Sequence, residues 1–127
     1  LKVLICGDRN WTNRDKIKDV VQYYHKKYKI TEIIEGEASG AGRMGGDVAY
    51  ELKIPLTKVP VNWELYGKKV AGLLRNQEML NMNPDLILAF HNDISESKGT
   101  QDMVLRARRK GTWVILITEE LNMGEWK

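Results

Sequence analysis

Cysteine is almost missing from this chain: Cys6 is the only one, so no internal disulfide can form and a reducing compartment, the cytosol, is expected. Cys6 ends an apolar run and has no base beside it in the sequence, which makes it a small buried side chain rather than a nucleophile. No apolar run approaches the ~20 residues of a membrane-spanning helix, and no signal-peptide pattern opens the chain, so no membrane contact is expected. The first residue is Leu1 rather than Met, as in a trimmed chain. The two histidines lie far apart and neither Cys-x-x-Cys nor His-Glu-x-x-His occurs, so no metal site or cofactor is indicated. A Gly-x-Ser-x-Gly elbow is absent, as is the Gly-Lys-Ser/Thr of a Walker loop. Excess charge of one sign is also small: 20 Lys and Arg against 17 Asp and Glu leave +3, spread along the chain instead of gathered in a tail. That balance suits an anionic small ligand and gives no argument for nucleic acid.

What the chain does hold is glycine in one place. Five of its eleven glycines fall between Glu35 and Asp47. They sit between a β-branched run, Thr31 to Glu35, and a segment of helical spacing. Glycine costs backbone entropy, so such a cluster signals positive φ or close approach of backbone to something bound. Free N–H groups of a strand-to-helix turn form a partly positive cradle for a phosphate. A plain flexible surface turn is the competing reading, and the spacing of Gly36, Gly40 and Gly42 is not that of Gly-x-Gly-x-x-Gly.

At 127 residues one domain is expected, spanning 1–127. Lys2 to Cys6 reads as a strand covered on both faces; Thr12 or Asn13 then caps a helix from Asp15 to Tyr28, whose Ile17, Val20, Val21 and Tyr24 form one apolar face. The alternation repeats: strand Thr31 to Glu35, helix Gly46 to Lys53, strand Leu56 to Val61, an aromatic loop Asn62 to Gly67 and a helix from about Lys69 to Asn81. Strand Leu86 to Phe90, a polar loop His91 to Lys98, a helix from Gly99-Thr100 to about Arg109 and strand Trp113 to Ile117 follow. Strands alternating with helices about every 25 residues predict βαβ crossovers. The fold class is therefore α/β: a doubly wound, mostly parallel, five-stranded sheet with helices on both faces. The tail, Thr118 to Lys127, reads as a last short element, a dimer contact or a disordered end.

In such a sheet ligands bind beyond the carboxyl ends of the strands. That rule gathers Gly7, Asp8, Arg9 and Trp11 with Gly36, Ser39, Gly40, Gly42 and Asp47, Trp63, His91, Gly99 and Thr100. Gly99 and Thr100 stand at a helix start, as phosphate ligands or as a simple cap. Arg9 pairs with an anion or is merely solvated. Trp11 and Trp63 stack a base or pack on the sheet edge. Asp8 and Asp47 bind ribose hydroxyls, act as acid or base, or cap helices; His91 carries protons or is a plain loop residue. Arg75 and Glu78, three apart, share a helix face and can pair.

Taken in order, Gly7-Asp8-Arg9-Asn10-Trp11, the glycine loop Gly36 to Asp47, Val61-Asn62-Trp63, Arg75-Asn76-Gln77-Glu78-Met79-Leu80, Pro84 to Phe90 and Gly99-Thr100-Gln101-Asp102-Met103-Val104 resemble the pattern of the YspA-like branch of the SLOG superfamily. This superfamily is named for the SMF/DprA proteins and the Lonely-guy phosphoribohydrolases. The resemblance covers Val3 to Ile117 and implies a Rossmann-like sheet, a nucleotide or nucleotide-derived ligand, a bacterial or phage origin and a homodimer formed through the later helices or the tail. Lonely-guy enzymes split base from ribose 5′-phosphate in a nucleoside monophosphate. By position, Arg75 takes the place of their motif arginine and Met79 that of the methionine, Asn76 replaces the lysine, and Gly99 and Thr100 match the phosphate-binding Gly-Thr. Met103 stands in the slot of the catalytic glutamate, with Asp102 one residue early and about 100° round the helix, and His91 to Ser97 replace Pro-Gly-Gly. Three readings follow: a nucleotide-binding domain; an N-glycosidase using Arg75 with Glu78, Asp47 or Asp102; and, against the scattered charge, a nucleic-acid module.

Overall fold

A computed structural model describes residues 1–67 and 70–120 of the chain. Five strands, β1 (Lys2–Gly7), β2 (Glu32–Glu35), β3 (Leu56–Lys58), β4 (Leu86–Phe90) and β5 (Trp113–Ile117), form one sheet of order β3-β2-β1-β4-β5. Every pairing is parallel. The central strand β1 and its neighbour β4 carry continuous apolar runs, because only a strand covered on both faces can bury every side chain. All five residues of β4 are buried, as are Val3, Leu4 and Ile5 of β1.

Alternation along the strands divides the core in two. Val3, Ile5, Ile33, Leu86, Leu88 and Phe90 face α1 (Arg14–Tyr28) and α2 (Ala41–Glu51), whereas Leu4, Ile34 and Ile87 face α4 (Ala71–Asn81) and α5 (Lys98–Lys110). The chain winds outward from β1 through β2 to β3, then crosses to the other side of the sheet for β4 and β5. Its switch point is the seam between β1 and β4, where Gly7 pairs with Phe90. A parallel doubly wound sheet opens its crevice there.

Most element boundaries fall where the periodicity puts them, and β4 and β5 agree to the residue. Asn13, one of the two expected caps, accepts from Lys16 N–H at the start of α1. Three differences have physical causes. Strand β3 stops at Lys58, short of the expected Val61: Val59 still donates to Glu35 O, but Pro60 has no N–H to continue the ladder. The aromatic loop holds a single helical turn, α3 (Trp63–Tyr66), capped by Asn62 Oδ1 on Leu65 N–H. Helix α2 begins at Ala41, five residues before the expected Gly46, so Gly42 and Gly45 lie inside a helix and not in a loop.

Inside α2 and at its cap, these glycines serve packing and chain direction. A Cβ on Gly45 would stand 2.7 Å from Ile5 Cγ2, so this glycine lets α2 lie close on β1. Gly40 is the N-cap of α2 with φ 77°, and a Cβ there would stand 2.3 Å from Asp8 O. The same Asp8 carbonyl accepts the Ala41 N–H. Arg43 N–H goes to Ala38 O and Glu37 N–H to the Glu35 carboxylate, so the turn spends these donors on its own fold instead of holding them for an anion. Of the tail, Thr118 to Glu120 are described, with Glu119 N–H on Asn92 Oδ1; residues 121–127 lie outside the described residues, as does the expected helix start at Lys69.

Candidate functional site

A cavity of about 990 Å³ opens over the carboxyl ends of β1, β2 and β4. Of the residues singled out from sequence, Gly7, Arg9, Gly36, Ser39, Gly42, Trp63, Arg75, Gly99 and Thr100 line it, together with Asp8 and His91.

Arg75 is the best-held cation in it. Rising from the second turn of α4, it donates from Nη1 to Gly36 O at 2.6 Å. A Cβ on Gly36 would lie 2.7 Å from both Cδ and Nη1, so the glycine leaves the groove through which the guanidinium passes. Arg75 Nε is buried with no hydrogen-bond partner. Burial presses the guanidinium pKa down, against the opposing pull of Cys6 and the Glu35 carboxylate. The Arg75–Glu78 pair expected from their spacing is not made: Arg75 ends on Gly36 O, and Glu78 is exposed on α4 facing a separate hollow beside Trp63 and Tyr66.

At the start of α5, Ser97 is the N-cap, its Oγ accepting from Thr100 N–H at 3.3 Å. Sequence reading gave that role to Gly99-Thr100; the serine was legible as a cap three residues before the bonded N–H but lay inside a polar run. Thr100 is 5 % exposed, and the positive end of the helix opens on the cavity through Lys98 and Gly99. Met103, in the slot of the glutamate, is fully buried and lines the cavity floor.

Several expected participants stand elsewhere. Asp102 accepts from Arg106 Nε at 2.8 Å and from Asn76 Nδ2 at 3.0 Å, outside the lining; Asn76 also donates to Gly99 O. Its one-residue offset turns it into a helix-to-helix tie between α4 and α5. Asp47 is exposed on α2, away from the cavity. Trp11 is 2 % exposed: its ring meets Phe90 edge-on at 5.7 Å and its Nε1 donates to Asn13 O, so it presents no face to a base. Gly40 supports the site from behind, against Asp8 and Arg9.

Two ionisable groups gain meaning only from the fold. Cys6 lines the cavity, and burial pushes its thiol up to about 12 against the opposing effect of Arg75. Glu35, at the end of β2, is 1 % exposed; its burial raises the carboxyl pKa, with the Glu37 N–H bond and Lys58 opposing. Nothing in the spacing of Glu35 marked it as buried, since it follows the last apolar residue of its strand. Among the described residues no group of three or more His, Cys, Asp and Glu could hold a metal ion, and no helix is long and apolar enough to cross a membrane.

Comparison with known proteins agrees with this architecture. The gene 61 protein of Mycobacterium phage D29 is 31% identical over 121 residues, covering 90% of this chain and 94% of that protein. The solved structure of DNA processing protein A (DprA) from Streptococcus pneumoniae superposes with a TM-score of 0.75 over 98% of this chain at 13% identity, a likeness of fold; this chain spans about half, 52%, of that one. Residues 1–66 match the family described as YspA, cpYpsA-related SLOG, a stretch that contains the Gly7-Asp8-Arg9 loop, the Gly36 groove and Trp63. With a family match over half its length and a phage relative along nearly all of it, the chain belongs to the YspA, cpYpsA-related SLOG family.

Proposed function

We propose that the cavity binds a nucleotide or nucleotide-derived small molecule, with the phosphate between Arg75 and the first turn of α5 and the base against Trp63. The observation that carries this reading is the Arg75 guanidinium, half-buried at the cavity wall with Nε unpartnered. A buried guanidinium group lacking a partner is costly, and an anion that completes its hydrogen bonds relieves that cost. Gly99 and Thr100 at the helix start, with Arg9 and Lys98 at the rim, favour the same charge. Trp63, 53 % exposed, offers a free aromatic surface.

Binding is favoured over cleavage of the N-glycosidic bond. The slot of the catalytic acid holds the apolar Met103, and Asp102 and Glu78 lie outside the cavity. The DNA processing named for the structural neighbour rests on a likeness of fold alone, and the even charge of this chain gives it no support.

Native mass spectrometry with nucleoside monophosphates, ADP-ribose and cyclic nucleotides tests the reading, with the supernatant assayed for free base. A retained, intact ligand is expected, and Arg75→Ala should lose it while the circular dichroism spectrum and melting temperature hold. Unchanged affinity in that variant would remove Arg75 from the site; release of free base would restore the hydrolase.

A further inference from the structure

Asp8 and His91 meet across the β1–β4 switch point, and both line the cavity. Each is fixed before any ligand arrives. Asp8 N–H donates to Phe90 O at 2.8 Å, its carbonyl holds Trp11 N–H and Ala41 N–H, and its Oδ1 accepts from Asn10 N–H at 2.9 Å. His91 N–H donates to Ile117 O, and its Nδ1 accepts from Asp93 N–H at 2.9 Å. A nitrogen that accepts carries no proton, so the imidazole proton sits on Nε2.

That leaves one donor, His91 Nε2–H, and one acceptor, Asp8 Oδ2, facing each other 4.0 Å apart, with the histidine side chain 6 % exposed. The gap is too wide for a direct hydrogen bond. An oxygen about 2.8 Å from both would form two bonds at about 90° to each other, accepting from His91 and donating to Asp8. A hydroxyl does both at one atom; a phosphate oxygen does not, and the Asp8 carboxylate repels it.

We infer that Asp8 and His91 form a hydroxyl clamp that takes one hydroxyl of the ligand's ribose and so selects ribonucleotides over their deoxy counterparts. The inference rests on the proposed nucleotide site and adds to it the class of sugar. Phosphate and sugar are then read by different elements: Arg75 on α4 and the start of α5 hold the anion, and the ends of β1 and β4 hold the sugar.

Calorimetric titration with AMP, GMP, CMP and UMP and with the 2′- and 3′-deoxy form of each tests it. A site built to bond a hydroxyl leaves two groups unpaired when the hydroxyl is missing, so one of the two deoxy forms is expected to bind at least about tenfold more weakly than its parent. In Asp8→Asn and His91→Phe the ratio should fall to within about twofold, through loss of ribonucleotide affinity and not of deoxynucleotide affinity; a merely structural role would weaken both equally. The ring ¹⁵N signals of His91 in the unmodified protein give a second readout, moving with the ribonucleotide and not with the deoxy form that binds weakly. Equal binding of all three sugars would mean that water fills the gap and would overturn the inference while leaving the nucleotide site intact. Failure of every nucleotide to bind would overturn both.

Discussion

Arg75 reaches from α4 to Gly36 O, 2.6 Å from its Nη1, through space that any larger residue at position 36 would occupy. One residue belongs to a helix motif and the other to the glycine loop, and together they form one device. Gly36→Ala should displace the guanidinium and weaken the proposed nucleotide binding about as much as Arg75→Met does. Neither change should alter stability by more than about 1 kcal/mol, because the clash falls on a flexible side chain and a buried, under-bonded guanidinium contributes little to folding. Isothermal titration beside thermal denaturation checks both halves. Intact binding in Gly36→Ala would dissolve the pairing.

Gly45 tests whether the glycines inside α2 serve packing. Gly45→Ala places a methyl 2.7 Å from Ile5 Cγ2 in a strand with no exposed surface there. Overpacking of that kind costs about 1–3 kcal/mol, more than the roughly 0.5–1 kcal/mol that Ala gains over Gly within a helix. In urea denaturation the double variant Ile5→Ala/Gly45→Ala should lose less than the sum of the single changes. Additive losses would mean that the contact is absent.

Glu35 sets a pH dependence. Its carboxyl pKa is raised in the folded protein by burial, so the folded state holds that proton more tightly than the unfolded chain, whose ordinary value is 4.5. Between that value and the raised one the native state carries more protons, and stability falls as pH rises through the window. Glu35→Gln should remove this component. The difference between the two denaturation midpoints, followed from pH 4 upward, should then change with pH; a constant difference would contradict the buried carboxylic acid.

Cys6 is protected by its surroundings though it lines the cavity. With the thiol pushed from 9.0 to about 12, the folded protein holds far less thiolate at pH 8 than the unfolded chain. Alkylation by iodoacetamide should be slow in the native protein, fast in urea, and should accelerate only toward strongly alkaline pH. Rapid native labelling at pH 8 would show a thiol far more ionised than its burial allows.

Sequence alone determined the α/β alternation, the order of elements and the membership of loops in one end of the molecule, because hydrophobic periodicity and the parallel crossover leave few alternatives. It also put Arg75, Gly36 and Thr100 at the end of the sheet where one cavity opens. Tertiary structure decided which groups point inward. One helical position separates Met103 in the cavity lining from Asp102 in a tie to Asn76 and Arg106, and a helix start five residues earlier moved Gly42 and Gly45 from loop to helix. The setting of Arg75 and the gap between Asp8 and His91 depend on groups far apart in the chain: Arg75 meets Gly36 39 positions away, and Asp8 faces His91 83 positions away. Local pattern fixes what an element is; the direction of a side chain at its end is set by whatever distant strand or helix packs beside it.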